Sequence, residues 1–325
     1  MKHKLPITSF TIFAALAGIA IFLSSNTAHA PHENNGIQCT IQDVFPPEIP
    51  TQILFAGDTI DLTQQDRRER MDKEMLSFTY SHINTMLIIK RANRLFPIVE
   101  PILAECGIPD DFKYLMLIES NGDPEALSPS KAGGLWQFLE KTGREYGLEV
   151  TEEVDERYHT GKATRAACEY LKGSYELYGD WLTVAASYNT GRNNVTKRRE
   201  RQKEEKAIDL VLPDETSRYI FRLMAVKTIF ECPAKYGFIL RSSDLYPAIP
   251  IEREVTVNST VIDWADFAKK QGLTFLQLRE ANHWIRRTTL NNKSGKTYKV
   301  LIPNKDALRY NPAETKAHNP AWVTE

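Results

Sequence analysis

The first residue with chemical potential is a carboxylate at the end of an apolar run. Residues 114–118 read Tyr-Leu-Met-Leu-Ile, and Glu119 closes them. A run apolar on all sides belongs to a buried segment rather than a surface stripe. Burial disfavours the ionised carboxylate, raises its pKa and leaves a usable acid near neutral pH. Taken alone, such a Glu could equally cap a buried helix and face solvent. The next stretch shifts the balance, because a turn-rich loop with Asp123-Pro124, Ser128-Pro129 and Gly133-Gly134 returns to an apolar patch, Leu135-Trp136-Gln137-Phe138. The other acids of the loop are less protected. Asp123 reads as a turn former before Pro124, and Glu125 as solvent-facing. Ser120 has no evident His–Asp partners, so it supports the loop rather than reacting.

Four short motifs occur in order between residues 119 and 219: Glu119-Ser120, Gly134-Leu135-Trp136-Gln137, Ala186-Ser187-Tyr188-Asn189-Thr190-Gly191, and Pro213-Asp214-Glu215-Thr216-Ser217-Arg218-Tyr219. Together they resemble the catalytic core of the soluble-lytic-transglycosylase (goose-lysozyme-like) family. Trp136 stands where Met is usual, as in a membrane-bound branch of that family. The resemblance implies a lysozyme-like helical domain that cleaves peptidoglycan strands without water. Glu119 would protonate the oxygen between N-acetylmuramic acid and N-acetylglucosamine, then take a proton from the muramic C6 hydroxyl as a 1,6-anhydro ring closes. One carboxyl group then serves as acid and base, and the more usual second carboxylate is not needed. The resemblance also assigns substrate-binding roles. Ser128 would lie near the reacting sugar, Gln137 would bond the substrate, Tyr188 and Asn189 would line the groove, and Tyr219 would orient the acid. Each has a plainer reading: Ser128 is also a turn residue before Pro129, and Tyr188 also a core aromatic. Thr190 replaces a small Ala and would narrow the groove.

The elements that must position these residues follow from periodicity and punctuation. Met71, Met75 and Phe78 keep helical spacing within residues 66–94, with Arg67, Arg68 and Arg70 on a solvated face. A short helix over 98–106 breaks at Gly107. Pro109, Asp110 and Asp111 start the helix that carries Glu119. Helices are expected over 140–147, 162–178 (closed by Gly179) and 181–188 (capped by Asp180), with an exposed charged segment over 197–206 and a long helix opened by Pro213. Pro247 and Pro250 mark a boundary. Beyond it, strand 254–257, helices 264–271 and 273–282 and strand 298–302 give a βααβ order similar to a lysin-motif module, a small glycan-binding fold. A longer, more basic insert over 285–296 departs from that pattern. The expected organisation is a signal segment (1–30), a linker able to dock on the domain (31–65), catalytic domain (66–246), lysin-motif-like module (252–303) and tail (304–325), mainly α with a small α+β appendage.

Composition sets outer limits. The 325 residues suffice for one sizeable core and a small second one. With 41 Lys and Arg against 42 Asp and Glu, nothing suggests a nucleic-acid partner. Lys2, Lys4, the apolar stretch 10–23 and Ala28-His29-Ala30 form an export signal, too short to span a bilayer comfortably. Pro31 after Ala30 hinders cleavage there, and an uncut segment would leave a membrane association. An exported, periplasmic or envelope-associated protein is the expectation. Cys39, Cys106, Cys168 and Cys232 allow three pairings, among them Cys106–Cys168, and free thiols are as compatible. Metal-ligand spacing is missing, so neither metal nor cofactor is expected. Two rivals remain: a muramidase using water with Asp123 or another acid as base, and a non-catalytic wall-binding protein, against which Glu119, Gln137 and Tyr219 speak together.

Overall fold

The computed structural model describes residues 45–324 apart from residue 294, so the expected signal segment, Cys39 and the first part of the linker lie outside the described residues. Helix α3 (Phe112–Ser120) sits in the core between α2 (His82–Cys106) and α8 (Asp214–Glu231). Its apolar run leaves Leu115, Met116 and Leu117 fully buried, as a segment apolar on all sides must be. Around it stand α1 (Gln65–Tyr80), α5 (Thr160–Tyr178), α6 (Trp181–Thr190) and α7 (Arg192–Gln202), with the short α4 (Glu140–Glu145) after the loop. Local signals fix several ends. Gly179 is left-handed after α5, and the Asp180 carboxylate accepts from Thr183 N–H at 2.8 Å to start α6.

Three features go beyond the sequence reading or against it. Helix α2 runs through Pro97, where the sequence reading separates two helices, and through Pro101. Both prolines lie on the exposed face, where water can satisfy the carbonyls they free. Charged residues 197–202 are helical, being part of α7, which is anchored by the fully buried Val195. The linker contains a hairpin, β1 (Gln52–Phe55) and β2 (Asp58–Asp61), whose Phe55 is fully buried in the helical core. Arg67 ties to this region rather than to solvent, bonding Asp61 O at 3.3 Å and pairing with Asp209 at 2.6 Å. Cys106 and Cys168 adjoin one another as free thiols, and Cys232 is also free. No helix among the described residues is long and apolar enough to cross a membrane.

The C-terminal module pairs β3 (Ile251–Val257) antiparallel with β4 (Tyr298–Pro303), and α9 (Trp264–Lys270) and α10 (Phe275–Ala281) pack on them. Trp264, Trp284, Leu278, Tyr298 and Val300 form its core, together with Val154 from the helical body. Residues 46–325 accordingly form a single compact unit. Residues 304–325, expected as a tail, return to the helical body. Trp322 is 2% exposed, its indole N–H donates to Phe230 O at 3.0 Å, and its ring meets Phe96 and Phe230 at 5.5 and 5.4 Å. A lone Trp among Pro, Asn and Ala carries no periodicity, so the sequence gives no sign of this anchorage.

Candidate active site

Glu119 lies on the last turn of α3, where the chain leaves the helix through Asn121 and Gly122, both left-handed. The residue as a whole is half-buried, and its carboxyl group is surrounded by protein. Burial pushes its pKa up from 4.5 to about 7; the Tyr219 hydrogen bond and the Arg222 charge oppose this, and the Glu215 charge adds to it. Tyr219, 3% exposed on α8, donates its hydroxyl to Glu119 Oε1 at 2.5 Å. Burial, then the Glu119 charge, holds the Tyr219 phenol far above its ordinary value, so it acts as a donor rather than a phenolate.

Tyr188 is on α6. Burial first, and the Glu119 charge next, raise its pKa strongly, placing the ring within electrostatic reach of the acid. Its hydroxyl donates to Trp136 O at 2.7 Å, and its ring meets Phe138 and Tyr170 edge-on at 6.2 and 5.1 Å. Asn189, next along, accepts from the Thr216 hydroxyl at 2.8 Å, which joins α6 to α8 beside the Glu119–Tyr219 pair.

The loop over residues 121–138 is closed by its own backbone. Gly133 N–H donates to Phe138 O at 3.0 Å and Gly134 N–H to Ala126 O at 2.9 Å. Gly134 has φ of +74°, and a Cβ there would lie 1.9 Å from Arg157 O, so no larger residue fits. The Gln137 amide donates to Gly134 O at 2.8 Å and Ala126 O at 3.3 Å, fixing the loop from within. Ser128 is engaged in the tight turn before Ala132, whose N–H donates to its hydroxyl at 3.0 Å. The geometry thus bonds Tyr219 to Glu119, ties Tyr188 to the loop backbone at Trp136 and joins Asn189 to α8, whereas the side-chain bonds of Gln137 and Ser128 fall within the loop. Trp136 is fully buried and bonds Thr164 at 2.9 Å.

Asp123 has partners of its own. It accepts from Glu125 N–H at 3.0 Å in a turn and pairs with Arg91 at 3.6 Å. Ser120 is buried and bonds back to Met116 O at 3.1 Å. Sequence reasoning missed Glu215 and Arg222, whose charges reach Glu119, although Glu215 stands within a quoted motif. It also missed Arg157, a buried side chain that pairs with Asp155 at 2.7 Å and holds Lys131 O and Phe138 O at 2.8 and 3.1 Å. No local pattern marks an Arg whose partners lie some twenty residues upstream. Among the described residues no cluster of metal-ligating side chains occurs.

Residues 107–211 match the family described as Transglycosylase SLT domain. The chain carries an SLT domain. Residues 253–306 match the family described as Soluble lytic transglycosylase C-terminal LysM-like domain, so the module is LysM-like. The chain is similar to the membrane-bound lytic murein transglycosylase D of Escherichia coli strain K12, at 30% identity over 261 residues, covering 78% of this chain and 56% of the relative. The protein of the same name from Escherichia coli O6:H1 matches equally. The chain spans little more than half the length of these relatives. Tyr219 and its motif lie just beyond the SLT match, which makes their meeting with Glu119 an observation separate from it.

Proposed function

We propose that the protein is a peptidoglycan lytic transglycosylase with Glu119 as its acid and base. The observation that carries this reading is the Tyr219–Glu119 hydrogen bond around a carboxyl group whose pKa is about 7. Such a group is substantially protonated at neutral pH and gives its proton to the glycosidic oxygen as the bond to the muramic C1 breaks. The carboxylate then takes the proton of the C6 hydroxyl while that oxygen bonds C1, closing the 1,6-anhydro ring with no water consumed. The hydroxyl is tethered to the reacting sugar and wins by proximity. Asp123, the base suggested for hydrolysis, is occupied by its turn and by Arg91. In this reading Tyr219 orients the acid, Tyr188 and Asn189 line the groove, and Gln137 and Ser128 shape the loop against the glycan.

The relatives' name carries over as further proposals: murein as substrate, and attachment to a membrane, for which the expected N-terminal signal segment is the sequence's own candidate. A hydrolase would instead need a second carboxylate to activate water, Asp123 or another acid. Mass analysis of products from purified peptidoglycan separates the two. Anhydro ends, lighter by one water and lacking a reducing end, are expected, with Asp123→Asn within a few-fold of wild type. Reducing ends would make the enzyme a muramidase. Glu119→Gln should lower the rate by about two to four orders of magnitude in a folded protein. Near-normal cleavage by that variant would remove Glu119 from the mechanism.

A further inference from the structure

The LysM-like module is built into the wall behind the SLT loop. Residues 284–286 pair antiparallel with residues 153–155: Asp155 N–H donates to Trp284 O and Arg286 N–H to Glu153 O, both at 3.0 Å. Val154, between them, is 1% exposed and completes the module's own core. Next along the chain, Arg157 and Tyr158 back the loop directly. Arg157 holds the carbonyls of Lys131 and Phe138, its own carbonyl meets Gly134, and the Tyr158 hydroxyl faces Gly133. The Arg286 guanidinium lies 4.0 Å from the centre of the Tyr158 ring, and its Nη1 reaches Glu125 at 3.5 Å, on the limb of the loop just after Glu119. Arg279 of α10 pairs with the same Glu125.

We propose that Arg286 is a positioning residue for the SLT loop, clamping its outgoing limb through Glu125 and its returning limb through Tyr158. The inference rests on the reading of Glu119 and its loop as the catalytic site. Glu125 is largely exposed, so its ion pairs alone contribute little. The stack on a buried tyrosine and the backbone pairing at 153–155 carry the clamp, since a half-buried cation over a ring is held more strongly than an exposed one. The basic insert that departs from the usual lysin-motif pattern is thereby explained. Arg287 and Lys296 pair with Glu152 and Glu149, both at 3.0 Å, and seat the insert on the helical body. A module that acted as a tether would only raise local substrate concentration. A clamp changes the catalytic step.

The test measures steady-state cleavage of short soluble glycan chains, sacculus pull-down and hydrogen exchange in the full chain. Arg286→Ala is expected to lower kcat about tenfold with KM within about twofold, because small displacements of positioned groups cost rate. Sacculus binding stays unchanged, and Arg286→Lys, which keeps a cation over the ring, recovers part of the rate. Amides of Gly133 and Gly134 exchange about tenfold faster in Arg286→Ala, while those of α8 do not change. Should that variant fold poorly, Glu125→Gln leaves both cores intact and is expected to lower kcat about threefold. Unchanged kcat and unchanged loop exchange, or a rise in KM alone, would overturn the clamp. The exchange readout stands even if the products prove hydrolytic, so failure of the clamp and failure of the functional reading remain distinct.

Discussion

At Glu119 the neighbours pull in opposite directions, and their signs can be tested one at a time. Burial and Glu215 raise its pKa, whereas the Tyr219 hydroxyl and Arg222 lower it. Cleavage should therefore decline as pH rises through about 7, where the acid loses its proton. Tyr219→Phe removes a bond that favours the carboxylate, so this alkaline limb moves to higher pH while the maximal rate drops. Glu215→Gln removes a like charge and moves the limb to lower pH. Rate-against-pH curves on soluble chains read both shifts, and shifts of the same sign would contradict the assignment. Stability obeys the same linkage. A folded pKa above 4.5 stabilises the fold fully below that value, and the benefit is lost as pH rises through about 7. Glu119→Gln has no such dependence, so its melting temperature should gain on wild type between about pH 5 and about pH 8.

Among the elements, the loop over 121–138 is least tolerant at Gly134. Gly134→Ala meets both a positive φ and the Arg157 carbonyl, and should lower stability by about 2 kcal/mol or more while abolishing cleavage. Denaturant unfolding checks the first and product release the second. The apolar run of α3, the caps at Gly179 and Asp180 and the βααβ order were all legible in the sequence, because each is a local signal of period or punctuation. Glu119 and Tyr219 were legible as candidates, but only the fold brings residues a hundred positions apart to 2.5 Å. Other features were closed to sequence reasoning for a common reason. Arg157, the hairpin with Phe55 and the continuity of α2 through two prolines depend on what stands opposite, and tertiary partners leave no periodic trace. Ser128 and Gln137 illustrate the converse: their residue types fit substrate contact, yet their hydrogen bonds close the loop itself.

For the whole molecule, the decisive feature is the return of the chain to the helical body after the module. Trp322→Ala removes a buried indole from between Phe96 and Phe230 and should cost about 3–5 kcal/mol, read as a lowered denaturation midpoint. It packs on Phe230, about three turns of α8 from Tyr219, so kcat at low temperature should hold. Deleting residues 247–325 would remove Trp322 along with the module, and loss of activity in that truncation would say little about glycan binding. The double attachment also governs what a protease can do. A single nick between residues 246 and 251 would leave the module joined to Trp322, seated in the helical core, and paired along residues 153–155. The two pieces should travel together on a sizing column and part only in denaturant, so that cutting the chain once does not divide the protein.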